Sequence, residues 1–359
     1  MLEERLNGLY EGYGYRKFRM SKFEEYDLYA RNKDFLKSGH IITFTDVDGS
    51  LKALKPDITL SIMKNNNGGS EKVYYNENVY RDMGGSFQEI LQVGVESVGQ
   101  IDPYAEAEVI ALAAKSLEVL SPRYVLDLSD VSFVACLLDG MGLGEKEREQ
   151  VLEFISQKNA PGIQAMAQAG KLKEGDAQAI AQLMAIYAPL KEGIAQAGRL
   201  ARDNASWEAL RQLSLVASIL ESFGLGDQVH LDFSLVNSMD YYNGVIFQGF
   251  LEGIPFPALS GGRYDNLPRK MGKQVGAIGF ALYMGRLEQY FGQERQYDAD
   301  LLLTYGPGAD LAALAAFVEG VRERGKTVLC QREGAETGLV RCRTQARFSQ
   351  GLDMGEVLK

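Results

Sequence analysis

The sequence predicts an α+β fold: an antiparallel sheet flanked by helices, with a helical insertion and a small C-terminal α/β unit. Three observations carry this. Apolar strand pairs around tight-turn residues occur before residue 138 and again after residue 226; helix-period segments fill the interval; and strand, helix and strand follow one another near the end.

Residues 1–137 form the first part of the sheet domain. HIITFTDVDG, from His40, reads as a strand and tight turn, LKALKP as the returning strand, and DITLSIMKN as a helix with Asp57 or Thr59 near its start. VYYNENVYRDMGGSFQEILQVGVESVG then reads as two strands around a Met-Gly-Gly loop. Over residues 138–226 the pattern turns helical: EKEREQVLEFISQ, PGIQAMAQAG, EGDAQAIAQLMAIY and WEALRQLSLVASILESF carry apolar residues three and four apart. DGMGLGEKE, from Asp139, lacks the glycine spacing and terminal Ser/Thr of a phosphate loop and reads as a helix junction.

The sheet resumes over residues 227–292 with VHLDFSLV, YYNGVIFQGFLEG and FPALSGGRYD, and closes on a helix expected to begin around Gly279. Residues 298–359 form a separate unit. DADLLLTYG and KTVLCQ are strands on either side of the helix ADLAALAAFVEGVRERG, which implies a parallel pair, and TGLVRCR is a further short element. TYGPGAD reads as an ordinary strand-to-helix turn.

Composition narrows the function. With 46% hydrophobic and 24% charged residues the chain is an ordinary globular one, and a net charge of -10 argues against the broad basic surface that nucleic acid requires. Cys136, Cys330, Cys342, His40 and His230 are scattered, so neither a disulfide framework nor a metal site is expected, and no cofactor is implied. MLEERLNGLY lacks a signal-peptide core and no apolar run is long enough to span a bilayer, so a cytoplasmic protein with no membrane contact is expected.

Some residues have the chemistry to hold a free amino acid. Its ammonium needs a carboxylate, which Asp57 supplies; an imidazole needs an acceptor and a donor, which Glu96 and a tyrosine hydroxyl supply. From the residues alone, Asp57 and Thr59 equally suit a helix cap and Glu96 a solvent-facing strand position. The glycines of SGGRYD read as a tight backbone path beside a ligand, and Arg263 as an ion-pair partner of Asp265 or a neighbouring strand.

GYRKFRMSKFEEYDLY, LKPDITL, LQVGVESVG, DYYNGVIF and SGGRYDNL, in this order, resemble the catalytic core of class II histidyl-tRNA synthetases. They resemble more closely a paralogous family, the regulatory subunits of ATP phosphoribosyltransferase. The likeness covers residues 11–128 and 227–290 and implies a class II synthetase-like fold, with residues 298–359 a truncated anticodon-domain-like unit. It implies a histidine pocket in which Asp57 and Thr59 hold the amino group and Gln92 lies near it. Glu96 would face the imidazole, Tyr242 would reach the other ring nitrogen, and Tyr264 belongs to the second histidine-specific motif.

Arg81 and Arg286 would remain at former phosphate-binding positions. The resemblance also exposes departures from the synthetase. Asn237 stands where an arginine is expected, the loop after Arg81 is short with Ser86 to Glu89 in place of its arginine-rich end, and Tyr283 and Gly285 replace glycine and glutamate. The likeness begins almost at the start of the sequence, at GYGY, so the synthetase's usual leader is not expected. Adenylate formation needs cations around the α-phosphate. The resemblance therefore implies no catalytic residues and no tRNA, but a regulatory subunit in histidine biosynthesis. Its implied partners are a second copy of itself and short-form ATP phosphoribosyltransferase catalytic subunits, in a hetero-octamer with histidine as allosteric effector. The alternative is a shortened histidine–tRNA ligase whose lost arginines are replaced from elsewhere in the chain.

Overall fold

The structure is a computed structural model that describes residues 2–36, 40–236, 241–291, 297–335 and 340–358. It divides into two compact units, Met1–Leu287 and Glu288–Lys359.

The first unit holds twelve of the strands: β1 (Arg16–Lys17), β2 (Phe23–Glu25), β3 (Thr43–Thr45), β4 (Leu51–Leu54), β5 (Glu71–Asp82), β6 (Phe87–Gly99), β7 (Tyr124–Asp130), β8 (Tyr187–Pro189), β9 (Val229–Asp232), β10 (Val245–Leu251), β11 (Leu259–Arg263) and β12 (Gly276–Leu282). Nine of them form one sheet in the order β1-β5-β6-β12-β11-β10-β7-β9-β8, and β2, β4 and β3 form a small antiparallel sheet. All pairs from β5 to β7 in the large sheet are antiparallel. The α+β reading holds.

The β5–β6 hairpin dominates one half of the sheet. Its turn spans Met83–Ser86, with the Met83 N–H donating to the Ser86 carbonyl at 2.8 Å and Gly84 and Gly85 at φ 71° and 92°. Two successive positive φ angles make a type I′ turn, the connection that matches strand twist. No room is left for a long loop after Arg81.

The helix Pro103–Leu120 supports the back of the sheet, contacting β6, β7, β10, β11 and β12. Asp102 caps it by accepting the Ala105 N–H at 2.8 Å, and Pro103 suits its first turn. Helix period gives little sign of this element, because it is buried on nearly every face and shows no polar stripe.

One expectation is overturned nearby. The helix predicted from about Gly279 is instead strand β12, paired between β6 and β11, and the helix begins at Met284. GAIGFAL carries two glycines, which disfavour helix, and its burial on both faces removes the alternation that would mark a strand.

Within residues 138–226 lie the helices Glu145–Ser156, Ala160–Gln168, Glu174–Met184, Leu190–Ala197 and Asn204–Ser222. DGMGLGEKE is indeed the junction into the first of these. The segment is not purely helical. The run expected to stay helical through Tyr187 stops at Met184, and β8 adds an edge strand to the large sheet by pairing with β9. Pro189 is tolerated there because an edge strand can do without one N–H.

In the second unit, β13 (Ala299–Tyr305), β14 (Val328–Arg332) and β15 (Cys342–Arg347) form a parallel sheet in the order β14-β13-β15. Asp310 caps the intervening helix Leu311–Glu323, so TYGPGAD is the turn it reads as. Leu301, Leu303, Leu314, Val321 and Phe348 form this unit's core. Among the described residues no helix is long and apolar enough to cross a membrane.

Candidate functional site

One cavity in the first unit brings together Asp57, Thr59, Gln92, Glu96, Tyr242 and Tyr264, with Arg81 at its margin. Strand alternation puts Gln92 and Glu96 of β6 on one face, and Glu96 lies opposite Gly279 of β12. A Cβ at Gly279 would collide with the Glu96 carboxylate and the Val95 carbonyl, so the glycine creates the space that Glu96 fills.

Glu96 is 2% exposed. Thr59 donates its hydroxyl to Oε1 at 2.8 Å, and Tyr264 donates its own to Oε2 in a short hydrogen bond. Burial pushes the carboxyl up to about 8; Asp57 adds to the rise and the two hydroxyls oppose it. At neutral pH Glu96 is therefore held as a protonated acid, able to share its proton with a basic ring.

Asp57 takes up the helix-capping role and also lines the cavity. Oδ1 accepts the Leu60 N–H at 2.9 Å, capping the helix Thr59–Asn65, while Oδ2 lies 3.6 Å from the Arg81 guanidinium. Arg81 is fixed in turn by donating Nε–H to the Pro56 carbonyl at 2.7 Å.

Phe35, Tyr75, Tyr241, Ser260 and Gly279 also line the cavity, and sequence reasoning did not single them out. The Tyr241 ring centroid lies 4.7 Å from that of Tyr242, 5.6 Å from that of Tyr264 and 5.7 Å from that of Phe35. Burial raises the hydroxyls of Tyr75, Tyr241, Tyr242 and Tyr264, which remain donors over the working pH range. The doubled tyrosine and the mid-strand glycine were the available signals.

The glycines of SGGRYD serve neighbouring strands more than a ligand. A Cβ at Gly261 would meet the Gly279 carbonyl and the Phe247 ring, and one at Gly262 the Val245 carbonyl and the Tyr242 ring. Arg263 is the ion-pair residue expected, donating to Asp265 at 2.9 Å and to Glu106 of the supporting helix at 2.8 Å.

Arg286 does not enter this cavity. It lines an adjoining one that shares Arg81, Gln92 and Ser260 with the first. Its guanidinium lies 4.0 Å from the Phe256 ring centroid, and the Tyr283 hydroxyl makes a short hydrogen bond with Ser260 at the border of the two cavities. Arg81 and Arg286 are the two basic side chains in this lining. Asn237 lies outside the described residues. Among the described residues no group of three or more His, Cys, Asp or Glu could hold a metal ion, and Cys136, Cys330 and Cys342 are free thiols.

A sequence profile described as histidyl-tRNA synthetase matches residues 1–287. The chain belongs to that family. The match ends where the first compact unit ends. Within the family's reach, the ATP phosphoribosyltransferase regulatory subunit of Acetivibrio thermocellus is 28% identical over 98% of this chain and 81% of that protein. A Bacillus halodurans structure described as an ATP phosphoribosyltransferase regulatory subunit/histidyl-tRNA synthetase superposes with a TM-score of 0.80 at 22% identity, covering 97% of this chain and 93% of that one. A chain of an ATP phosphoribosyl transferase complex from Thermotoga maritima gives a TM-score of 0.63 at 17% identity, covering 79% and 96%. Both structures share the class II synthetase-like fold with this protein.

Proposed function

We propose that this protein is the non-catalytic regulatory subunit of ATP phosphoribosyltransferase, which the short-form catalytic subunit requires for activity and through which histidine inhibits it. The observation that carries this is the convergence of the six expected histidine-binding side chains in one cavity beside a neighbouring cavity with few cations. Asp57, Thr59, Gln92, Glu96, Tyr242 and Tyr264 converge, whereas the adjoining cavity offers Arg81, already engaged by Pro56 and Asp57, and Arg286, stacked on Phe256. Charge developing on a transferred adenylyl group needs more cations than these.

Histidine would place its ammonium against Asp57 and Thr59, near Gln92, and its imidazole between Glu96 and Tyr242. Its binding regulates only if two arrangements of the complex differ in histidine affinity. The complex would be a cytoplasmic hetero-octamer of this subunit with the catalytic one, without tRNA, and three free thiols suit that reducing compartment. For the self-dimer, the β2-β4-β3 sheet offers an apolar surface: exposed Phe23 and Phe44 pack edge to face at 5.4 Å on one of its faces.

Calorimetry with histidine, paired with histidine-dependent ATP–pyrophosphate exchange, tests the proposal. Binding without exchange is expected. Exchange above the histidine-free background would overturn it in favour of a shortened histidine–tRNA ligase.

A further inference from the structure

We propose that Lys270, which does not line the pocket, is a positioning residue that holds Phe35 as the wall over the ligand's ring. The proposal rests on the histidine reading of the pocket.

Phe35 ends the short 3-10 turn Lys33–Phe35, is 8% exposed, and presents its ring to the cavity against Tyr241. The turn has little of its own to hold it: the Phe35 N–H donates to Asn32 and the Leu36 N–H to Lys33, each at 3.0 Å. Three-residue turns of this kind have poor hydrogen-bond geometry and low local stability.

Lys270 supplies a tether from another part of the chain. Its Nζ lies 5.2 Å from the Phe35 ring centroid and 2.8 Å from Asp34 Oδ2, so one ammonium engages two successive residues of the turn. The ring takes it as a cation–π partner and the carboxylate as an ion pair. Lys270 ends the helix Asn266–Lys270, which starts just after Tyr264 and Asp265. That base is firm. Asp265 accepts the Ala277 N–H at 3.0 Å and the Arg263 guanidinium at 2.9 Å, and Tyr264 is bonded to Glu96. A single short segment thus carries the hydroxyl that meets Glu96 at one end and the cation that places Phe35 at the other.

The tether is partly exposed, with the Lys270 side chain 38% accessible, so its contribution is modest. Lys270→Met, which keeps the alkyl stem and removes the charge, should weaken histidine binding about three- to tenfold. Lys270→Arg should restore most of it, with little change in melting temperature for either variant. Phe35→Leu should also weaken binding, and adding Lys270→Met to it should cost nothing more, because the two residues act as one.

A second readout needs no histidine. With para-fluorophenylalanine at position 35, fluorine NMR of the intact protein should show one narrow signal that shifts or broadens in Lys270→Met. Additive losses in the double variant, or a fluorine signal indifferent to Lys270→Met, would overturn the proposal. Should the parent protein bind no histidine, the histidine reading falls, and the fluorine comparison still decides whether Lys270 positions Phe35.

Discussion

Replacing Glu96 by glutamine separates what this side chain does for a ligand from what it costs the fold. In the unfolded chain the carboxyl ionises near 4.5, whereas burial in the native pocket keeps it protonated up to about 8. Between those values the native state binds more protons than the unfolded state. Stability therefore falls as pH rises, by about 1.4 kcal/mol per unit, and stays reduced above about 8. By pH 7 the accumulated cost is about 3 kcal/mol. Glutamine has no proton to lose and escapes this cost. It can accept one hydroxyl, from Thr59 or Tyr264, and loses the other at about 1 kcal/mol. Glu96→Gln should thus be more stable than the parent by about 2 kcal/mol at pH 7 and nearly neutral at about pH 5. Urea unfolding across that range gives the difference directly. The same variant should bind histidine about ten- to a hundredfold more weakly, since a charge-assisted hydrogen bond to the imidazole is gone. A stability difference that does not change with pH would refute the reasoning about Glu96.

Histidine affinity should itself have a plateau in pH, because the complex keeps one proton between Glu96 and the imidazole. Affinity should hold between about 6.5, where free imidazole gives up its extra proton, and about 8, where Glu96 loses its own. It should fall about tenfold per unit on either side, and calorimetry at several pH values would show otherwise if the proton were not shared. Gly279→Ala should abolish histidine binding or the fold itself, because the new methyl would occupy the Glu96 carboxylate's place. Retained affinity in a stable Gly279→Ala protein would refute that packing argument. Phe44→Glu, placing charge on the exposed face of the small sheet, tests the proposed self-dimer: if it forms through this face, sedimentation should show monomer for the variant with an unchanged far-UV spectrum. An unchanged dimer would direct attention to another face.

The pocket was more legible than the fold that carries it. Asp57, Thr59, Gln92, Glu96, Tyr242 and Tyr264 are spread over the chain, yet they fall in short stretches whose order resembles a family's, and the sheet register brings them together. Arg81 and Arg286, expected at former phosphate-binding positions, both line the adjoining cavity. What escaped was mostly what is buried on every side. The helix Pro103–Leu120 and strand β12 show neither helical nor alternating polarity, because no face of either meets water along its length. Gly261 and Gly262 look like ligand glycines but are dictated by neighbouring strands. Phe35 sits on an unremarkable surface turn, and only the tertiary fold brings it to Tyr241.

The central claim is that this protein regulates rather than catalyses. The most direct test is the ATP phosphoribosyltransferase activity of the short-form catalytic subunit, measured with and without this protein across a histidine titration. Activation by the protein, reversed as histidine rises and no longer reversed when Glu96→Gln replaces the parent chain at the same histidine concentration, is the predicted result. Failure of this protein to change the catalytic subunit's activity at any histidine concentration would contradict it.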